Sequence, residues 1–476
     1  MKIVKEVKGC FRSKNYEIYI DKKLIHTVSI TIISKKYKEF QYVFLLDSDG
    51  KVIDDVFEFL NDYCKNEQVT AREQTASALK VLYSFCEVIL KKIKEFNLTD
   101  VNNLSKFILG QSIEGNVESH ILTTSRDIST HDQYFDNIRK FLNYINIDNE
   151  VFFGKIKVTA TDNSEKSKDV EKYLTNLGKS KAGYMQVPSY ISLNEYHKII
   201  KQIEKGNNRY KLRNILIVNL MYILGLRLGE VLGITLEDIK AHPNNSEAGI
   251  ICLRNRVSDR KDQHAKTCMK VFSRDDYGTK RYKSEKKGGY QSITIPTLLM
   301  KQIKEYINES RELIDDVIDK LPKERIDTLI NNIKADCVEE NTRENYYLFL
   351  GKNFTPLTQG GWSKALKQIF LGVGITTDKG VREENLSHRF RHGFAMFLLE
   401  VIEKDIFYIK RKMRHKSIQS TLIYLKPTQE SILQDTEMII NSVCKKYDIS
   451  REEKLNPGEL LDESENIIKS IEIHKS

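Results

Sequence analysis

The stretch from Leu386 to Leu425, LSHRFRHGFAMFLLEVIEKDIFYIKRKMRHKSIQSTLIYL, carries the strongest signal in this 476-residue sequence. His388 and Arg391 lie three residues apart near its start, so they share one face of a helix. An apolar run follows, which predicts one helix with a polar start and a buried body. His415 and Tyr424 complete the set. Arginine binds phosphate oxygens, histidine transfers protons near neutral pH and tyrosine can act as a nucleophile, so the set predicts a phosphate-handling site.

A second arginine lies upstream, in residues 222–238, YILGLRLGEVLGITLED. Arg227 stands in a short turn between two apolar segments, and Gly225 and Gly229 on either side allow the backbone to approach a ligand closely. Glu230 is near enough in sequence to hold the guanidinium in place. Taken singly, each of these residues is more often a packed or solvated structural residue. The ordered set favours a functional site.

The order G-L-R-x-G-E, then H-R-F-R-H, then R-H-K-S-I-Q-S-T-L-I-Y resembles the catalytic domain of the tyrosine recombinases, the phage-integrase family. Within that family it is most similar to the integrases and transposases of bacterial mobile elements. The resemblance covers roughly Ile191 to Pro427, about half of the chain. It implies a metal-free and cofactor-free reaction on double-stranded DNA.

The resemblance also implies a role for each residue of the ordered set. These roles are phosphate clamps for Arg227 and Arg391, proton handling for His388, a hydrogen bond to the scissile phosphate for His415, and the nucleophile for Tyr424. The sequence departs from the family at Arg414, because the residue before the second histidine is usually glycine.

The catalytic lysine of the family lies in a hairpin between two strands, and residues 249–253 and 292–296 read as such strands. Lysine suits this position because it is a mobile cation that can protonate a leaving oxygen. Lys266 resembles the Lys-Thr element of the family, whereas Lys287 lies closer to the second strand. The interpretation favours Lys266 and keeps Lys287 as the alternative. Residues 269–290 then read as an insertion.

Composition and charge agree with an anionic partner. The formal net charge is +10 and the sequence pI is about 8.9, which fits nucleic acid or an acidic membrane surface. No apolar run approaches the roughly 20 residues that span a bilayer, and the start of the chain lacks the pattern of a signal peptide. The seven scattered cysteines contain no CxxC pair, so neither a disulfide framework nor a zinc site is indicated. The expected location is the cytoplasm, in association with the nucleoid.

The predicted fold is mainly α with small β-sheets, an α+β class in which a helical core-binding domain and a catalytic domain form a clamp around DNA. Thr70 to Glu73 reads as a capping box that starts the first long helix. The predicted segments are a β-rich module over 1–64, the helical domain over 65–157, an exposed polar linker over 158–190, the catalytic domain over 191–445 and a charged tail over 446–476. For the β-rich module, a structural role is favoured over a separate DNA-binding role.

The resemblance implies a site-specific recombinase, an integrase or transposase of a mobile genetic element. Such an enzyme cuts and rejoins DNA through a 3′-phosphotyrosine intermediate. A homotetramer on the DNA is expected, together with accessory bending or directionality proteins. Apolar residues of the segment 429–445 are candidates for contacts between subunits, with packing on their own domain as the alternative. The alternatives are a type IB topoisomerase-like enzyme and a non-catalytic DNA-binding regulator on the same scaffold.

Overall fold

The computed structural model describes residues 2–9, 13–37, 40–111, 119–161, 167–177, 187–206, 209–339, 344–377 and 386–426. Long helices and small sheets follow one another along the chain, so the fold class is α+β, as the sequence predicts. The segment 429–445, a candidate for a subunit contact, and the predicted charged tail 446–476 lie outside the described residues.

The strands form small sheets whose pairs are antiparallel, with the exception of β1 and β6. In chain order the strands are β1 Lys2–Lys8, β2 Lys14–Ile20, β3 Lys23–Val28, β4 Thr31–Tyr37, β5 Phe40–Leu46, β6 Ser119–Ile121, β7 Lys155–Thr161, β8 Ser167–Tyr173, β9 Ile239–His242, β10 Asn245–Leu253, β11 Gln291–Ile295, β12 Lys334–Ala335 and β13 Asn345–Tyr346. Their orders are β3-β2-β1-β6, β11-β10-β9, β12-β13, β4-β5 and β7-β8.

The α-helices are, in chain order, α1 Asp54–Glu58, α2 Val69–Ile89, α3 Leu98–Leu109, α4 Ile128–Tyr144, α5 Glu150–Phe153, α6 Leu193–Lys205, α7 Lys211–Ile223, α8 Leu228–Leu232, α9 Thr297–Ile318, α10 Lys323–Ile333, α11 Gln359–Gly372, α12 His388–Met396, α13 Ile406–Lys412 and α14 Gln419–Leu422. Single π-helical turns at Phe59–Tyr63 and Phe397–Val401 follow α1 and α12. No helix among these residues is long and apolar enough to cross a membrane.

The N-terminal strands and the helices that follow them share one hydrophobic core. The ring centroids of Tyr16 on β2 and Phe107 on α3 lie 4.9 Å apart. The buried side chain of Asn61 accepts a hydrogen bond from the backbone N–H of Val43 and donates one to the backbone carbonyl of Val43, both at 2.9 Å. The strands predicted by alternation are therefore present, and their inward faces pack on α2, α3 and α4.

Two local predictions differ from the structure. Helix α2 begins after Gln68 without a side-chain cap, so the capping box over Thr70–Glu73 is wrong. The Glu73 carboxylate instead accepts from Ser34 at 2.8 Å and lies 3.2 Å from the Lys261 ammonium. The polar segment predicted as a linker, 158–190, contains β8 and the second half of β7, and these two strands pair. Its polar composition carries no signal for that pairing.

A second core surrounds the sheet of β9, β10 and β11 and contains α7 and α11. The side chain of Trp362 on α11 is fully buried. Its indole N–H donates to the Ser387 hydroxyl at 3.1 Å. Because Ser387 immediately precedes α12, this bond fixes the start of the helix that carries His388 and Arg391.

The described residues fall into two compact units. One lies within Met1–Ala182 and Ile191–Phe394, and the other lies within Gly183–Tyr190 and Ala395–Ser476.

Candidate active site

Arg227 is held by a buried carboxylate at the start of α8. The Arg227 backbone N–H donates to one Glu230 carboxylate oxygen at 2.8 Å, and its guanidinium donates to the other at 2.9 Å. The Glu230 side chain is fully buried, whereas 19% of the Arg227 side chain is exposed. Glu230 therefore fixes the guanidinium while part of the Arg227 side chain stays exposed, and the predicted contact between these residues is confirmed.

Arg391 is tied to the turn that precedes Arg227. The Arg391 side chain is buried, and its guanidinium donates to the Gly225 carbonyl. Gly225 has φ +59°, and a Cβ there would lie 2.4 Å from the Phe394 ring. Only glycine suits this position, because the left-handed backbone and the close ring both exclude a side chain. This hydrogen bond thus links the turn that precedes Arg227 to α12, the helix that carries Arg391.

Gly225→Ala is expected to lower the free energy of unfolding by about 2–4 kcal/mol, because it adds left-handed strain and a clash with Phe394. Thermal unfolding measures the effect, and DNA cleavage should fall with it because the Arg391 contact is displaced. Gly278→Ala is the matched control, since a Cβ at Gly278 meets nothing within 4 Å. Equal melting temperatures for the two variants would contradict the prediction.

Lys266 lies in the connection between β10 and β11, beside α8. A Cβ at Gly229 would lie 2.7 Å from the His264 carbonyl oxygen, and one at Gly233 would lie 2.3 Å from the Gln263 carbonyl oxygen. These glycines therefore let the connection run directly over α8. Lys266 is exposed and lies close enough to His388 for its charge to act on that ring. Lys287 is exposed on a turn of the same connection.

His388 is half-buried at the first position of α12. Burial lowers the pKa of His388, and the charges of Arg391, Arg227 and Lys266 lower it further, against the opposing effect of Glu230. The imidazole is therefore neutral at pH 7 and can accept a proton. The same electrostatic influence indicates that all three cations lie near this ring.

His392 lies one helical turn after His388, and the two ring centroids are 6.1 Å apart. Burial, with the charges of His388 and Arg391, lowers the pKa of His392 to about 4. His392 is not among the site residues predicted from the sequence, although its spacing of four from His388 places it on the same helix face. Its depressed pKa makes it a neutral neighbour of the site.

Acidification is expected to destabilise the protein through His392. The unfolded chain takes up this proton near pH 6.5 and the folded chain only near pH 4, so the unfolded state binds more protons in that window. Stability should therefore fall as pH drops from 6.5 to 4, with about 3 kcal/mol from this group. His392→Gln should flatten the pH dependence of the urea midpoint. His197→Gln, on an exposed position of α6, should leave it unchanged; a slope equal to wild type in His392→Gln would refute the assignment.

His415 and Tyr424 lie together in the second unit. Their rings are nearly parallel, at 9°, with centroids 6.4 Å apart. The His415 Nδ1 atom and the Thr421 hydroxyl form a hydrogen bond of 2.9 Å, which orients the imidazole. Tyr424 sits on a 3₁₀ turn, Ile423–Leu425, and is 2% exposed. The short helix α14 thus carries Thr421, which orients His415, and it leads directly into the turn that carries Tyr424.

Arg414 adopts the backbone conformation that glycine favours. Its φ is +53°, and the His415 N–H donates to the Lys410 carbonyl at 3.0 Å. This bond, five residues back, closes the end of α13 as in a Schellman turn. The departure from the family at Arg414 therefore leaves a left-handed turn before His415, with arginine in place of the usual glycine.

The structure thus gathers Arg227, Lys266, His388 and Arg391 in the first unit and pairs His415 with Tyr424 in the second.

Comparison with known proteins finds no matching family model, but it finds curated tyrosine recombinases. XerH of Campylobacter jejuni is 23% identical over 241 residues, which is 50% of this chain and 49% of the relative. XerC of Lactobacillus leichmannii is 24% identical over 242 residues, covering 51% and 59%. The match spans about half the length of these relatives.

Solved structures are similar at lower identity. XerH site-specific recombinase bound to its difH substrate aligns with a TM-score of 0.45 and 16% identity, covering 78% of this chain and 82% of that one. The Tn1549 transposon integrase in complex with circular intermediate DNA aligns with a TM-score of 0.43 and 14% identity, covering 81% and 98%.

The ordered motif and the curated relatives show that the chain is similar to the tyrosine recombinases of the integrase family.

Proposed function

We propose that the chain is a site-specific DNA recombinase of a mobile genetic element, an integrase or transposase. It cuts and rejoins DNA strands through a 3′-phosphotyrosine intermediate. The observation that carries the proposal is the convergence of three cations on His388. Arg227, Arg391 and Lys266 all lower its pKa, so a site that concentrates positive charge around a neutral imidazole is present in the first unit. Such a site suits a phosphodiester.

The reaction begins with attack of the Tyr424 oxygen on a DNA phosphorus. The phenol loses its proton to His388 as the new P–O bond forms. The bond between phosphorus and the 5′ oxygen breaks, and Lys266 gives a proton to the leaving oxygen. Arg227 and Arg391 stabilise the added negative charge, and His415 donates a hydrogen bond to a phosphate oxygen. Rejoining is the reverse reaction with a 5′ hydroxyl of another strand, so no nucleotide cofactor is consumed.

A cleft of about 590 Å³ supports DNA as the partner. Helix α2, the hairpin β4–β5 and the connection after β10 line it. Its lining includes seven cationic side chains: Lys36, Lys65, Arg72, Arg256, Arg260, Lys261 and Lys270. Three acidic side chains, Glu67, Glu73 and Asp259, also line it, and Glu67 and Glu73 form ion pairs with lysines. Cations in a groove attract the phosphate backbone independently of base sequence.

We also propose that the domains predicted from the sequence have separate roles in binding DNA. Residues 65–157 and 191–445 would contact opposite faces of the DNA, with 158–190 between them. Residues 1–64 would support the first of these domains, and 446–476 would follow the second. Two duplexes that exchange strands one at a time need four active sites, so a homotetramer on the DNA is part of the proposal, with accessory DNA-bending proteins. The proposed location is the cytoplasm, on the nucleoid.

The test is a cleavage assay on nicked duplexes that carry the ends of the DNA element encoding the chain. The nick releases a short fragment after cleavage and traps the covalent intermediate. We expect an adduct that survives denaturation, disappears with protease and forms in EDTA. The released strand should accept phosphate from a kinase without prior phosphatase treatment, because its 5′ end is a hydroxyl.

Two results would overturn the proposal. Tight binding to the element ends without any adduct would favour a non-catalytic regulator. Adducts on any sequence, accompanied by relaxation of supercoiled plasmid and no strand exchange, would favour a type IB topoisomerase-like enzyme.

A further inference from the structure

Lys266 projects from a turn whose neighbouring residues are anchored in the core. Ala265 and Cys268 are 2% and 7% exposed, whereas Lys266 is exposed. The Cys268 N–H donates to the Ala265 carbonyl at 3.0 Å and closes the turn. The Cys268 thiol donates to the Leu253 carbonyl at 3.2 Å. The exposed side chain of Lys266 thus extends from a backbone turn that is anchored in the core.

The buried side chain of Asn255 forms hydrogen bonds to residues on both sides of Lys266. Asn255 is 1% exposed, and its amide oxygen accepts from the Ala265 N–H at 2.7 Å. Its amide nitrogen donates to the Ala265 carbonyl at 3.2 Å and to the Met269 carbonyl at 2.8 Å. Both amide hydrogens and one acceptor are therefore used on residues that bracket Lys266.

Asn255 is itself held from both sides. Its carbonyl accepts from the Tyr282 hydroxyl at 2.8 Å. The adjacent Arg254 and Arg256 are buried and contact the carboxylates of Glu237 and Asp238 at 2.7–3.0 Å. This network fixes the backbone from which the amide extends, so Asn255 is held by contacts outside the turn 265–269.

We infer that Asn255 is a positioning residue that sets the location of the Lys266 ammonium by clamping the turn 265–269. The inference rests on the proposed function, in which Lys266 protonates the leaving 5′ oxygen. Proton transfer needs heavy atoms within about 2.6–3.2 Å. A displacement of about 1 Å can cost about 100-fold in rate. Loosening the turn therefore slows the step that uses the lysine proton and spares steps that do not.

A change of leaving atom separates this role from a general effect on the fold. In the natural substrate the bond between phosphorus and the 5′ oxygen breaks, and that oxygen takes a proton from Lys266. In a substrate with sulfur at the 5′ bridging position, the bond between phosphorus and sulfur breaks and a thiolate leaves without a proton. A thiol is acidic enough, with a pKa of about 8.5 for cysteine, to depart as the anion.

Asn255→Asp keeps the shape of the side chain but removes both amide donors and turns a carboxylate toward the Ala265 and Met269 carbonyls. We expect adduct formation on the oxygen substrate to fall by about 10- to 100-fold. On the sulfur substrate it should stay within about threefold of wild type, as it should for Lys266→Ala. Adding Lys266→Ala to Asn255→Asp should produce no loss beyond Lys266→Ala alone.

Asn219→Asp is the matched control, because Asn219 on α7 is also a buried amide, hydrogen-bonded to Tyr196 on α6 and Gln302 on α9. Any loss it causes should be equal on the two substrates. Asn255→Ala, which adds no charge, is the second variant.

Equal losses on both substrates for the Asn255 variants, or an additive double variant, would overturn the inference. So would loss of cooperative unfolding in both variants, since Asn255 would then determine the fold. Failure of the sulfur substrate to rescue Lys266→Ala would overturn the lysine assignment and the inference with it. Absence of any wild-type adduct on either substrate would instead overturn the proposed function.

Discussion

Tyr424→Phe is expected to abolish the covalent protein–DNA adduct, lowering its yield by at least about 1,000-fold, because removal of a nucleophile eliminates the covalent step. The fold should persist, since phenylalanine keeps the ring that lies parallel to His415 with centroids 6.4 Å apart. Affinity for the DNA should also persist. The measurement is a denaturing gel of the nicked-substrate reaction, run beside a binding titration.

Tyr408→Phe is the matched control for this experiment. Tyr408 lies in the same unit on α13, with Lys404, Arg411 and Lys412 within 5.4–5.8 Å of its ring. Its variant should form the adduct at the wild-type level. An adduct that persisted in Tyr424→Phe would show that another residue attacks the phosphate.

Arg227→Ala is expected to have two separable effects. Cleavage should fall by about 100- to 1,000-fold, the usual cost of losing one preorganised donor to a charged transition state. The free energy of unfolding should fall by about 3–5 kcal/mol, because the Glu230 carboxylate is fully buried and loses its ion-pair partner. Single-turnover cleavage and thermal unfolding measure the two effects.

The double variant Arg227→Ala/Glu230→Gln separates stability from chemistry. A neutral amide at position 230 removes the buried charge. Its oxygen can still accept from the backbone N–H of residue 227, which donates to the Glu230 carboxylate at 2.8 Å in the wild type. It should recover most of the lost stability and none of the lost cleavage. Recovery of cleavage together with stability would mean that Arg227 acts only on the fold.

Local features of the site follow from the sequence because they depend on short spacings. His388 and Arg391 share a helix face, and Glu230 reaches Arg227 from three residues away. The burial of Trp362 follows from its size and apolar character. In each case the relevant partners lie within one helical turn, or the only requirement is burial.

Features that depend on distant partners could not be predicted. Glu73 forms its bonds with Ser34 and Lys261 rather than with its own helix terminus. β1 pairs in parallel with β6, as in the register of Ile3 with Ser119, across more than a hundred residues. An asparagine is written in the same way in the sequence whether its side chain is solvated or, as in Asn255, is buried and makes three hydrogen bonds. The sequence holds no local trace of these contacts.

The core shared by the N-terminal strands and α2–α4 has a practical consequence for dissecting the protein. A fragment that starts at residue 65 would lose Phe59 and Leu60, both fully buried, and would uncover the face of α3 on which Tyr16 packs. Such a fragment should aggregate on expression, because it exposes a contiguous apolar surface. Removal of the first 64 residues is therefore a poor route to a minimal enzyme, and shortened forms should keep the N-terminal strands.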